Sequence, residues 1–320
     1  MRRDHALPSA SQRPPKVGLA LGSGSARGWA HIGVIQSLRK AGVPIDYVAG
    51  ASIGAFVGAV FCAGQINALE EEARSMDWRR MARMLDLTFP RSGLLAGEKI
   101  EAFIRHLVQN RSIEELSIPF CAVATNLRTG KEAWLRHGST VEAVRASLSL
   151  PGIFTPVRRG PLWLVDGGLA NPVPVSVCRA MGADLVIAVN LNADILLRPR
   201  KSTEGKGRMA RSQPDQPLGQ AFWQYWQHQG DRFRKLLPLP RRSGESPLSI
   251  FEVLLYSLNV MQDRITRQRL AADPPDFQIA PYLRYIQLLE FHRAEEAIAE
   301  GEQAAQALLP AIRESLARQE

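Results

Sequence analysis

Cysteine is scarce: Cys62, Cys121 and Cys178 are the only three in 320 residues. An odd count at such wide spacing builds neither a disulfide framework nor a cysteine-based metal centre, and each sits among apolar neighbours. They read as buried free thiols in a reducing compartment. The first fifteen residues lack an apolar core and carry Arg2, Arg3, Asp4 and His5 among Ser and Pro, so no secretory leader is expected there. Residues 47–69 lack any charge, yet they contain Gly50, Gly54, Gly58 and Gly64 with Ser52, Gln65 and Asn67. That mixture excludes a membrane span and suits a strand, a turn and a helix. The expected location is cytoplasmic, with peripheral contact at the inner membrane surface.

What is present is ordinary for a globular chain, with 45% apolar and 22% charged residues. The net charge of +9 is concentrated. Residues 198–242 hold eleven Arg or Lys against three Asp or Glu, and residues 1–16 hold four against one. A basic segment of this kind suits an anionic membrane surface or nucleic acid, or is simply solvated. The aromatic run Phe222 to Trp226 and the leucines 236, 237 and 239 favour the membrane. No nucleic-acid partner is expected.

Apolar periodicity places strands at 16–21, 44–49, 118–125, 132–136, 162–165 and 184–190. Helices are expected at 29–41, 53–62, 69–85, 98–108, 141–148, 174–181, 248–270 and, as one or two pieces, 285–317. Such alternation predicts an α/β fold: three layers, a mostly parallel central sheet with helices on both faces, plus C-terminal helices. The expected organisation is a flexible arm (1–15), a catalytic domain (16–192), a basic Pro-rich insertion (193–247) and a helical extension packed on the catalytic domain (248–320).

Three local features carry chemistry. Gly50-Ala51-Ser52-Ile53-Gly54 lies between a strand and a helix, the setting of a nucleophile elbow. The turn strains the serine backbone and lifts its Oγ clear, while the two glycines avoid clashes across the turn. A tight βα turn with a capping serine explains the same residues. The second feature is the loop Gly22, Ser23, Gly24, Ser25, Ala26, Arg27 and Gly28, where backbone N–H groups at a helix start favour an anion, either a phosphate or an oxyanion. The third is Asp166-Gly167-Gly168 at a strand end, which also reads as a plain turn. Sites in open α/β sheets form at the carboxyl ends of strands, where all three fall.

A serine hydrolase ordinarily needs a histidine after its acid. Only His228 and His292 follow Asp166, neither in a convincing setting, and His31 reads as a packing or capping residue. A Ser52–Asp166 dyad is the simplest site, provided that burial raises the aspartate above its reference pKa of about 3.9. The rival is nucleotide binding: Gly22, Gly24 and Gly28 after a strand, with Asp46 where a ribose-binding acid belongs. It leaves Ser52 and Asp166 unexplained.

These motifs resemble the bacterial patatin-like phospholipases. The likeness rests on the block from Leu19 to Val34, on Gly50 to Gly54, on the stretch from Ala146 to Val157 and on Asp166 to Pro174, all within residues 16–192. It continues weakly in 275–281 and 290–297. It implies a serine esterase with Ser52 as nucleophile, Asp166 as base and backbone N–H groups around Gly24, Ser25 and Ala26 as oxyanion hole, with Arg27 beside it. It also implies a lipid or phospholipid substrate and no metal or cofactor. One departure is Ser25, where the family often carries a further glycine; serine narrows the allowed backbone. A catalytically weak member with a regulatory or lipid-binding role is the alternative.

Overall fold

The computed structural model describes residues 13–77, 79–80, 97–194 and 250–318. The insertion expected at 193–247 therefore lies almost wholly outside the described residues, as do most of the N-terminal arm and the second half of the helix expected at 69–85.

Among the described residues, eight strands form one mixed sheet. They are β1 (Val17–Leu21), β2 (Tyr47–Ala51), β3 (Phe120–Asn126), β4 (Glu132–Leu135), β5 (Val157–Arg159), β6 (Leu162–Asp166), β7 (Leu185–Val189) and β8 (Phe277–Ile279). The order is β5-β6-β3-β2-β1-β7-β8, with β4 beside β3. The pairs β1–β2, β1–β7, β2–β3 and β7–β8 are parallel. The pairs of β3 with β4 and β6, and of β5 with β6, are antiparallel.

The central strands read as continuous apolar runs because helices cover both of their faces. Side chains alternate between two cores. Val17, Leu19 and Leu21 of β1 join Leu185, Ile187 and Val189 of β7 on one face. Helices α1 (Ala30–Lys40), α2 (Ile53–Cys62), α4 (Glu98–Leu107), α5 (Thr140–Ser147) and α8 (Ala294–Ala317) cover that face. Ala20, Val186 and Ala188 point the other way, against α6 (Val175–Met181) and Leu270 of α7 (Ile250–Ala272). All three cysteines are buried and free.

Three elements depart from expectation. Helix α3 spans Ile66–Arg74, starting three residues before the expected helix. Strands β5 and β8 went unforeseen; each is three residues long and only partly buried, too short for a period-2 pattern to show. Helix α8 approaches α1 backbone to backbone. A Cβ on Gly33 would stand 2.0 Å from the Ile298 carbonyl oxygen, and one on Gly301 would stand 2.0 Å from that of Ala30. Only glycine permits that crossing.

By compactness, Met1–Leu197 with Leu254–Glu320 form one unit and Arg198–Val253 another. All but four residues of the second fall outside the described residues.

Candidate active site

Strand β2 delivers Ser52 at its carboxyl end, and α2 begins at the next residue. Ser52 has φ 55° and ψ −124°, a conformation that costs a non-glycine residue about 1–3 kcal/mol. The surroundings hold it there. A Cβ on Gly50 would meet the Gly54 carbonyl oxygen at 2.4 Å, and one on Gly54 would meet the Leu21 carbonyl oxygen at 2.2 Å. The Ser52 N–H donates to Ser147 Oγ at 2.8 Å, and that hydroxyl donates onward to the Val123 carbonyl at 2.5 Å. Ser147, on α5 and fully buried, thus ties the elbow to β3.

The Ser52 hydroxyl donates to Asp166 Oδ2 at 2.5 Å. Asp166 ends β6, which runs against the parallel strands and meets β3 at Ala124, Thr125 and Asn126 alone, near the end of that strand. That short overlap brings its carboxyl end down to the carboxyl end of β2. Asp166 has no exposed surface. Its Oδ1 accepts from the Gly168 N–H at 2.7 Å and its carbonyl from Thr125 Oγ1 at 2.7 Å. A Cβ on Gly167 would collide with the Val123 carbonyl oxygen at 2.0 Å. Burial pushes the carboxyl up to about 6, against the opposing pull of the Ser52 hydroxyl and the Gly168 amide.

The loop 22–28 is pinned from several sides. Gly22 N–H donates to the Val189 carbonyl, Ser23 N–H to that of Pro172 and Ala26 N–H to that of Leu288. The Ala26 amide is therefore spent on the C-terminal segment, which corrects its expected place in an oxyanion hole. Among the described residues, the amides of Gly24 and Ser25 have no such acceptor. Ser25 has φ 52°, the left-handed region that glycine fills most cheaply, which is a physical reason for a glycine at this position. Gly28 packs against Ile53, which a Cβ would strike at 2.1 Å.

His31 is fully buried and its Nε2 lies 2.8 Å from the Gly22 carbonyl oxygen. A carbonyl only accepts, so Nε2 carries the proton and donates. Burial drives the imidazole down to about 4, so it stays neutral and fastens the loop. Arg27 is buried as well, with Nη2 on Asn259 Oδ1 at 3.2 Å. Desolvation lowers its guanidinium to about 10, against the field of Asp194.

Helix α7 was not anticipated near the site. Asn259 meets Arg27, and Gln262 Oε1 accepts from Ser23 Oγ at 3.4 Å. Gln262, Asp263 and Thr266 are buried. Polar residues at 259, 262, 263 and 266 occupy a spacing ordinarily reserved for apolar side chains, and that was the readable signal. Ser147 had no such signal.

Some expected candidates do not join the site. Asp46 binds Lys16 Nζ at 2.7 Å and the Val17 N–H at 2.8 Å. It closes the amino end of β1, the wrong end for a ribose, so the dinucleotide reading fails. His292 sits in the short turn Phe291–Arg293 before α8, and His228 lies outside the described residues. No helix among the described residues is long and apolar enough to cross a membrane.

A model of the patatin-like phospholipase family matches residues 19–179. An uncharacterized NTE family protein of Mycobacterium tuberculosis is 35% identical over 332 residues, spanning 93% of this chain and 92% of that protein. Human patatin-like phospholipase domain-containing protein 6 is 36% identical over 185 residues, which are 55% of this chain but 13% of the human one.

Proposed function

The chain belongs to the patatin-like phospholipase family, and from that premise we propose that it hydrolyses carboxylic esters of lipids through a Ser52–Asp166 dyad. The observation that carries the proposal is the 2.5 Å contact between Ser52 Oγ and Asp166 Oδ2, made by a serine at φ 55°. A strained, partly exposed serine beside a buried carboxylate is an activated nucleophile with its base in place.

Ser52 Oγ attacks the acyl carbonyl while Asp166 Oδ2 takes its proton. An aspartate near pKa 6 is a better base than one near 4, yet is mostly ionised at neutral pH. Charge develops on the carbonyl oxygen, for which the Gly24 and Ser25 amides and the N-terminus of α2 supply donors and positive potential. The tetrahedral intermediate collapses to an acyl-enzyme as Asp166 returns the proton to the leaving alkoxide. Water, deprotonated by the same carboxylate, then releases the fatty acid. The competing reading is a lipid-binding or regulatory protein without turnover, favoured by the strain that Ser25 brings to the loop.

Hydrolysis of a medium-chain p-nitrophenyl ester, alongside fluorophosphonate labelling, tests the choice. Wild type is expected to react with both. Ser52→Ala should lose both, and Asp166→Asn should lose turnover by a factor on the order of 10⁴. Folded wild type that neither turns over nor labels would hand the case to the binding reading.

A further inference from the structure

The antiparallel corner of the sheet has a surface that the proposed chemistry does not use. Leu127 is 54% exposed at the β3–β4 turn, and Leu162 and Trp163 follow the β5–β6 turn at 37% and 38%. Trp134 on β4 is 39% exposed. The two turns are joined, since Leu127 N–H donates to the Trp163 carbonyl at 2.8 Å. Register places Trp134 opposite Val123, and Trp163 two residues from Val165, which faces Thr125. Both tryptophans therefore occupy one face of the corner, and Leu162 the other. The tip is apolar on two sides, a shape suited to immersion and poorly suited to a flat protein partner.

Its charge is one-sided. Arg128 and Lys131 lie on the β3–β4 turn, and Arg158 and Arg159 on β5, beside these apolar side chains. Arg158 lies over the Trp163 ring at 6.0 Å, whereas Arg136, over the Trp134 ring at 4.9 Å, has its Nε and Nη2 buried and stays out of the patch. Among the described residues, none of the four cations Arg128, Lys131, Arg158 and Arg159 has a carboxylate within ion-pair distance. The anions nearby are occupied: Glu132 receives Arg269 at 3.2 Å and Asn171 at 2.9 Å, and Glu114 receives the Gly138 N–H at 3.1 Å. Beside the tip, a groove of about 610 Å³ runs between Lys131 and Arg159 over Ala133 and Leu135. The other exposed apolar cluster, Val253, Tyr256, Val260 and Met261 on α7, carries no charge between 253 and 261 and so selects no partner.

We propose that this corner docks the protein on an anionic phospholipid bilayer, with Leu127, Leu162 and Trp163 entering the interface and Arg128, Lys131, Arg158 and Arg159 meeting headgroup phosphates. Aromatic and aliphatic side chains inside a basic ring suit the headgroup boundary. Nucleic acid would also meet the cations, but the aliphatic side chains of Leu127 and Leu162 give it nothing to stack on. Strand β6 begins at the docking residues and ends at Asp166, about 13 Å away at an ordinary strand rise, so docking fixes the site relative to the bilayer. The choice of a lipid partner rests on the hydrolase reading; the surface itself does not.

Sedimentation with phosphatidylcholine vesicles, with and without phosphatidylglycerol, tests docking independently of turnover. Full-length wild type is expected to bind only the anionic vesicles, and to release as salt rises. Arg128→Glu/Lys131→Glu/Arg158→Glu should lower the partition coefficient by a factor on the order of 100 or more, and Leu127→Ser by about tenfold. Both should keep wild-type turnover of a soluble ester. Should the charge variant fail to fold, Trp163→Phe reports instead: it should reduce the quenching of wild-type fluorescence by brominated lipid. Vesicle binding unchanged in these variants, or lost only on deletion of 198–242, overturns the proposal. So does binding of duplex DNA as tight as that of vesicles. Absent docking with intact ester turnover sinks the surface and leaves the hydrolase, whereas docking without turnover does the reverse.

Discussion

In the proposed chemistry, the parallel half of the sheet and its antiparallel corner contribute one group each, under opposite conditions. Strands β1, β2 and β7 are buried on both faces, and their backbones and those of the turns that leave them approach one another so closely that Gly22, Gly50 and Gly54 have no room for a Cβ. This half supplies Ser52 and the 22–28 loop. The corner built by β4, β5 and β6 is half exposed, turns at Gly130 and Gly160 with nothing within 4 Å of either, and supplies Asp166. A strained nucleophile needs a rigid frame, while a buried base needs only a strand that dips into the frame at one end. The difference teaches where the molecule tolerates change.

Substitutions can break that comparison. The largest effect is expected from Gly54→Ala, whose new Cβ would stand 2.2 Å from the Leu21 carbonyl oxygen. It should cost about 4 kcal/mol or more, read as failure to accumulate folded protein or a collapse in melting temperature.

Asp166→Asn comes next and separates stability from activity. An unfolded aspartate titrates near 3.9, whereas burial raises Asp166 to about 6. Between those values the folded state keeps a proton that the unfolded state has released, so wild-type stability falls as pH rises through the window. An asparagine in its place removes that penalty. The variant should be more stable by roughly 3 kcal/mol at pH 8 and gain nothing below about pH 4, in denaturant melts across pH. Wild-type kcat/KM should rise through an apparent pKa near 6; a profile flat down to about pH 4.5 would remove Asp166 as the base.

Ser147→Ala, at the junction of the two regions, leaves the Ser52 N–H and the Val123 carbonyl without the partner that joins them. It should cost about 2 kcal/mol and slow turnover by loosening the elbow. The smallest effect belongs to Gly130→Ala. Its φ is +68° with open space around it, so about 1 kcal/mol of backbone strain is expected and no clash. If Gly130→Ala destabilises as much as Gly54→Ala, the distinction between frame and corner is wrong.

Legibility in the sequence follows the same division. Strands β1, β2 and β7 and helix α2 stood out as unbroken apolar runs because they are covered on both faces. The strand-turn-helix setting of Ser52 was readable for the same reason, and Asp166 through its two following glycines. Strands β5 and β8 were not, being three residues long and partly exposed. That β6 runs antiparallel was invisible, since local pattern carries no direction. The partners that shape the 22–28 loop come from far along the chain: Leu288 for Ala26, Gln262 for Ser23, Asn259 for Arg27. No local signal for Ala26 reveals that its amide is taken.

The bond between Ala26 and Leu288 sets an order of events during synthesis. Ser52 leaves the ribosome long before Leu288 does. At about 5–20 residues per second, the 235 positions between them take roughly ten to fifty seconds. Through that interval the elbow can form while the loop beside it lacks the carbonyl that ties down Ala26. The turn at Ser52 is thus an early product of translation and the last tie of the 22–28 loop a late one, so the loop takes its final shape only when the C-terminal segment docks.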